Sequence, residues 1–361
     1  MVLPDFPKSS VLVQFKLHQY QEFQIIAQPA AMCDTNESGS STERSVFSPA
    51  GNEMPVLRSA FIALSHNRPL RTFCEHSSIG NKLSARFVAG LEIEDALRIT
   101  ESVNKQGMLV TLDSLGESVA TEAEAQAAAE VYHRLLDAIA QRKLNSNISV
   151  KLTQMGLSLD PQLAESIAAS LAEHARSTNN FVRIDMEDSA LTEITLDIVR
   201  RLHARPDLRG AIGIVIQAYL YRSQEDIRHL VSDGIRVRLC KGAYKEPAGV
   251  AFPRKADVDA NYIRLSCTLL ESPIYHGLAT HDEHMIEEAK SFASQHGIAP
   301  GRFEFQMLYG VRRDLQRKLV AEGYNVRVYV PFGHEWYPYF MRRLAERPAN
   351  VVFLAKNMLR Q

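Results

Sequence analysis

The stretch "IRVRLCK", residues 235–241, alternates apolar and basic side chains with a period of two. In a β-strand successive side chains point to opposite faces, so Val237 and Leu239 share one face and Arg238 takes the other. Other runs along the chain repeat the pattern. In "NVRVYVP", residues 325–331, Val326, Val328 and Val330 form the apolar face and Tyr329 lies opposite. In "FVRIDM", residues 181–186, Val182 and Ile184 are set against Asp185. The same reading turns Lys151 inward in "ISVKLT", Gln217 in "IGIVIQA", His281 in "YHGLATH" and Leu308 in "RFEFQML". With "GMLVTLD" this makes eight strand-like runs from Gly107 onward. They are separated by amphipathic stretches such as "LAESIAASLAEHARS" and "DEHMIEEAKSFASQHG". Eight β–α units at this spacing predict an α/β fold of (β/α)8 TIM-barrel type over residues 107–361, with a doubly wound open sheet as the alternative.

Upstream of the strands the pattern changes. Residues 1–55 include "CDTNESGSSTERSVFSPAGNEMP", which has no helical or strand period and predicts a flexible extension. Helical spacing begins near Val56 and runs through "ARFVAGLEIEDALRITESVNKQG", so residues 56–106 are expected to be an N-terminal helical segment.

Composition narrows the function classes. The 361 residues are 45% hydrophobic and 23% charged, with a formal net charge of −1. That balance gives no field to gather nucleic acid or an anionic membrane. No apolar run reaches the roughly 20 residues of a spanning helix. Four cysteines, Cys33, Cys74, Cys240 and Cys267, stand far apart without C-x-x-C spacing, which argues against a disulfide framework or a zinc site. The start of the chain has neither a signal-peptide nor a transit-peptide pattern. A reducing cytoplasm is the expected location.

The inward residues carry the functional reading. Lys151, Asp185, Gln217, Arg238, His281 and Tyr329 sit at or just past the carboxyl ends of their strands, where barrel enzymes place their active sites. A single buried charge there can be a satisfied core ion pair, but a ring of six polar types marks a catalytic mouth. Following the last strand, "YPYFMRRLAER" at residues 337–347 puts Tyr339, Arg342, Arg343 and Glu346 within reach of one helix face. Paired guanidiniums suit bidentate capture of a carboxylate, with the aromatic rings walling its apolar part. No dinucleotide fingerprint, Walker loop or nucleophile elbow is present, and His281 and His284 have no third ligand to complete a metal site. The residues alone leave two chemistries open. Lys151 or Lys241 could form a Schiff base, or the polar ring could hold a bound cofactor beneath a substrate clamp.

"VRLCKGAYKEP", "IVIQAY", "ATH", "FEFQMLYG", "VRVYVPFG" and "YPYFMRRLAERPAN" together resemble the proline dehydrogenase family over roughly residues 80–358, and its monofunctional bacterial branch in particular. The resemblance implies a distorted (β/α)8 barrel whose final helix lies over the carboxyl ends of the strands. It implies FAD-dependent oxidation of L-proline to Δ1-pyrroline-5-carboxylate, with a membrane quinone as electron acceptor. It further implies peripheral contact with the inner face of the membrane and pyrroline-5-carboxylate dehydrogenase as a downstream partner. Carried onto this chain, Lys151, Arg342 and Arg343 would bind the carboxylate. Tyr244, Leu308, Tyr329 and Tyr339 would enclose the ring, Glu117 would gate the site with Arg342, and Asp185 would organise the pocket. Asp185, Met186, Gln217, Arg238, Cys240, Lys241, Gly242, Ala243, Thr280, His281 and Glu346 would surround the flavin. Cys240 stands where the family usually has a branched aliphatic, and Lys245 where the bifunctional members carry tryptophan. No dedicated general base is implied.

Overall fold

The computed structural model describes residues 71, 84–116 and 118–346, the side chains of 344–346 excepted. The expectations for residues 1–55, for Glu117 and for the Glu346 side chain lie outside the described residues. So does most of residues 56–83.

Eight parallel strands close into a barrel in chain order: β1 Leu109–Ser114, β2 Ser146–Val150, β3 Val182–Ile184, β4 Ile212–Gln217, β5 Arg236–Cys240, β6 Gly277–Ala279, β7 Glu304–Leu308 and β8 Asn325–Phe332. β1 closes the ring on β8, with Val110 opposite Val328 and Leu112 opposite Val330. Every run with a period of two in the sequence corresponds to one of these strands. Their apolar faces, including Val182, Ile184, Val237, Leu239, Val326, Val328 and Val330, join a single buried core with the surrounding helices. Removal of that surface from water is the main force closing the barrel.

Helices α2 to α8 follow β1 to β7: α2 Glu122–Arg142, α3 Pro161–Ser177, α4 Thr192–Ala204, α5 Ser223–Ser232, α6 Lys255–Glu271, α7 Glu283–Gln295 and α8 Arg313–Ala321. Their ends are written locally. Thr121 and Glu124 form a reciprocal capping box at the start of α2. Asp160 caps α3, with Pro161 at its first position, and Asp282 caps α7.

Two helices depart from regular alternation. α1, Ile93–Asn104, precedes β1 and packs on β1 and β8, the place a helix after the eighth strand would otherwise fill. The helical spacing through Ala85–Gly107 yields only this helix. Before it, Ala89 N–H donates to Pro331 O and Gly333 N–H to Gly90 O, so residues 89 and 90 are tied to the end of β8. Gly90 there has φ +142°, which a helix cannot contain. The helix after β8, α9 Trp336–Glu346, is thereby freed from the outer ring. Its Trp336, Tyr337, Tyr339, Phe340 and Met341 are all buried and cluster with Phe87, Val88, Leu115 and Val311, with Leu308 packed against them. Leu115 and Leu308 lie at the carboxyl ends of β1 and β7, so α9 covers that end of the barrel.

Candidate active site

Strand parity places a charged layer inside the barrel, with Asp185 at its centre. One past the end of β3, its Oδ1 accepts from Arg238 Nη1 at 2.8 Å and from Ser149 Oγ at 2.7 Å, and its Oδ2 accepts from the Tyr329 hydroxyl at 2.8 Å. The Arg238 guanidinium lies over the Tyr329 ring, 5.2 Å from its centroid. Four strands thus meet at one carboxylate. The sequence assigns Arg238, Asp185 and Tyr329 to this interior, and the structure joins them into one network.

Lys151, one past β2, forms the second part. Its Nζ donates to Asp113 Oδ1 at 3.1 Å and Oδ2 at 3.2 Å, and stands 4.0 Å from Asp185. Burial alone would lower the Lys151 pKa. The Asp113 and Asp185 carboxylates outweigh that effect and hold the ammonium above the ordinary lysine value. Burial, reinforced by the same two carboxylates, pushes the Tyr329 phenol well above its usual range. Tyr329 therefore stays a hydrogen-bond donor. A Schiff-base lysine needs the opposite shift, toward a neutral amine. Lys241, the other candidate, is paired with Asp259 at 2.7 Å and Asp282 at 3.2 Å. The Schiff-base reading therefore has no lysine suited to it.

Asp113 is a site residue that the sequence reading passed over. It is 1% exposed, and the hydroxyl of the fully buried Tyr132 lies 3.3 Å from its Oδ1. Its signal is the same alternation: Val110 and Leu112 face the core of helices, so Asp113 must face in.

The remaining predicted residues fall around this layer. Gln217 is buried at the end of β4 and donates to Met186 O at 3.2 Å, while its Oε1 is buried with no hydrogen-bond partner among the described residues. Met186 is itself buried. Thr280 Oγ1 accepts from Asp282 N–H, and His281 Nε2 accepts from Leu308 N–H at 2.9 Å. Cys240 ends β5, and burial pushes its thiol up to about 12, so it is an inert filler rather than a nucleophile. Gly242 and Ala243 continue into the loop after β5, Gly242 with φ +119° against the Tyr219 ring. Tyr244, on the same loop, is 40% exposed, so of the four expected ring walls it is the one that faces solvent. Leu308 and Tyr339 meet in the cluster beneath α9. Arg342 and Arg343 are half-buried on α9, and the Arg343 guanidinium stacks 5.1 Å from the Tyr339 ring centroid. The arrangement joins a paired, protonated lysine, a carboxylate hub and an arginine-bearing aromatic helix at one end of the barrel.

Comparison with known proteins shows the family of the chain. The profile of the proline dehydrogenase family matches residues 96–356. The chain belongs to that family. It is 44% identical over 307 residues to proline dehydrogenase 1 of Bacillus subtilis, covering 85% of this chain and 100% of that protein. It is 41% identical over 281 residues to the proline dehydrogenase of Deinococcus radiodurans, covering 77% of this chain and 90% of the relative. Among solved structures, proline utilization A of Bdellovibrio bacteriovorus, inactivated by N-propargylglycine, superposes with a TM-score of 0.70 at 25% identity. That match covers 81% of this chain and 36% of the longer protein. The chain is thus an oxidoreductase of the monofunctional kind that oxidises proline.

Proposed function

We propose that this proline dehydrogenase uses FAD to convert L-proline to Δ1-pyrroline-5-carboxylate and passes the electrons to a membrane quinone. The observation that carries the cofactor is Gln217. A buried amide oxygen without a donor is costly, and a heterocycle edge bearing an N–H would satisfy it. Gln217 and Met186 would border the flavin ring beside Arg238, while Lys241, Gly242, Ala243, Thr280, His281 and Glu346 would hold the rest of the cofactor. When bound, the flavin would supply the acceptor for the hydride, and with it the two electrons, that leaves the substrate.

The chain's own residues do the binding and orienting. Arg342, Arg343 and Lys151 would hold the proline carboxylate, Lys151 being kept cationic by Asp113 and Asp185. Tyr329, Leu308, Tyr339 and Tyr244 would enclose the ring and exclude water, so that its reacting carbon is held at near-attack distance. Both Asp185 oxygens are occupied by Ser149, Arg238 and Tyr329, which makes Asp185 an organiser of the pocket. Glu117 would close over the site by pairing with Arg342. The family resemblance carries the quinone, the contact with the inner face of the membrane and the downstream pyrroline-5-carboxylate dehydrogenase. Among the described residues no helix is long and apolar enough to cross a membrane, so that contact would be peripheral.

The test is the visible spectrum of the purified protein before and after anaerobic addition of L-proline. A flavin band that bleaches supports the reading. A colourless protein that still oxidises proline after FAD is withheld would overturn it.

A further inference from the structure

The end of the barrel opposite the active site holds a cavity of about 600 Å3. Its rim comes from residues preceding the strands, including Asn145, Asn180 and Gly210, and its floor reaches Arg238 and Gln306. Arg183, Arg236 and Arg327 point into it from alternate positions of β3, β5 and β8. Among the described residues one carboxylate serves this layer. Glu304, on β7, is 3% exposed and takes Arg327 through Nε at 2.7 Å and Nη2 at 3.0 Å. Arg238 is already spoken for by Asp185. Among the described residues no carboxylate lies within ion-pairing distance of Arg183 or Arg236.

The two unmatched guanidiniums are held in place by construction. Arg183 is 3% exposed and donates through Nη1 to Ile214 O and Arg236 O. The Phe181 ring is approached by both cations, at 4.8 Å from Arg183 and 4.4 Å from Arg236. β4 has Gly213 on its inner face at this level, and a Cβ there would stand 2.9 Å from Arg183 Nη1 and 2.5 Å from Arg236 O. The strand gives up a side chain so that the guanidinium can lie across it. Arg183 Nε remains buried without a hydrogen-bond partner. Burial and the neighbouring Arg238, Arg236 and Arg327 cations all oppose the Arg183 charge, which Glu304 only partly relieves. Such an arrangement is costly alone and is relieved by an anion.

We propose that this amino-terminal mouth is a binding site for one small oxyanion of the phosphate, sulfate or carboxylate type, held by Arg183 and Arg236. A guanidinium pair of this geometry presents several N–H donors to oxygen acceptors at once. The site is separate from the proline pocket, and the proposal is independent of the cofactor assignment.

The test is calorimetric titration of the full chain with inorganic phosphate at constant ionic strength, with and without saturating L-proline and FAD. One phosphate per chain is expected, with an affinity that neither addition changes. Arg236→Gln, at a half-buried position outside the catalytic layer, should weaken binding roughly tenfold, the loss expected for one charged contact, while proline oxidation continues and reports a folded enzyme. Displacement by proline or FAD, equal affinity in Arg236→Gln, or no saturable binding at about 1 mM phosphate would each overturn the proposal. A selenate soak of wild-type crystals needs no variant. An anomalous peak between Arg183 and Arg236 supports the site, and its absence after saturation counts against it.

Discussion

At the carboxyl end of the barrel, Lys151 and Arg238 are matched by Asp113 and Asp185; at the amino end, Glu304 pairs with Arg327 and leaves Arg183 and Arg236 without a carboxylate among the described residues. Both ends use long polar side chains from alternate strand positions, and both bury them. The difference lies in how the charge is closed. The upper network is neutral within itself, so Arg342 and Arg343 on α9 add the positive charge that a substrate carboxylate would meet. The lower network has cations in excess before any ligand arrives. Pairing holds every buried charge of the upper network; below, pairing holds Arg327, while Arg183 and Arg236 stack on Phe181.

Breaking the upper network should cost the most. Asp185→Ala strands buried Arg238 and removes the acceptor of Tyr329 and Ser149, and a loss of about 3–5 kcal/mol in urea unfolding is expected. A loss under about 1 kcal/mol would mean that Asp185 is not the hub the geometry makes it.

The lower end should show itself in acid. His276 is 1% exposed, accepts from Val237 N–H, and is held down to about 3 by burial and by the Arg183 and Arg236 cations. Its folded-state pKa is depressed below the ordinary 6.5. The native state therefore resists a proton that the unfolded chain accepts. That stability is fully present above 6.5 and is lost progressively as pH falls toward 3. By about pH 4 the loss should be on the order of 3 kcal/mol, and it should be absent in His276→Asn when the two are unfolded side by side.

Arg342→Ala and Arg343→Ala each test the catalytic end. Removing one charged hydrogen bond of about 1.5–3 kcal/mol should raise KM for proline roughly 10- to 100-fold with flavin content unchanged. An unaltered KM would remove the arginines from the carboxylate site. Tyr329→Ser should shift the ratio of hydroxyproline to proline turnover a few-fold toward the hydroxylated substrate, since the ring fills the space that an extra hydroxyl would need. A constant ratio would assign Tyr329 to support of Asp185 alone. The smallest effect is expected at the surface. The exposed Arg228–Glu225 pair lies outside both networks, and Arg228→Ala should change stability by no more than about 0.5 kcal/mol.

Much of this architecture is legible from alternation. The β5 run reads apolar, basic, apolar, and that pattern already turns Arg238 inward; the same parity turns Asp185 and Tyr329 to meet it. Asp113 was equally readable from Val110 and Leu112, yet its importance depends on Lys151 standing beside it. That neighbour is set by the register of β1 against β2, with Leu112 opposite Ile148, and not by spacing along the chain. The α1 helix is legible as a periodic segment, but it starts only at Ile93 because Gly90 and the backbone bonds of Ala89 and Gly90 to the end of β8 interrupt the helical path.

The sequence by itself determined the strand count, the face each residue takes and the arginine–aromatic helix, because these depend on local periodicity. Tertiary structure decided which charges are shared. Asp185 serves three donors, Glu304 serves one arginine, and Arg183 lies across the space left by Gly213. These assignments depend on distances between residues on different strands, and only closure of the barrel sets those distances.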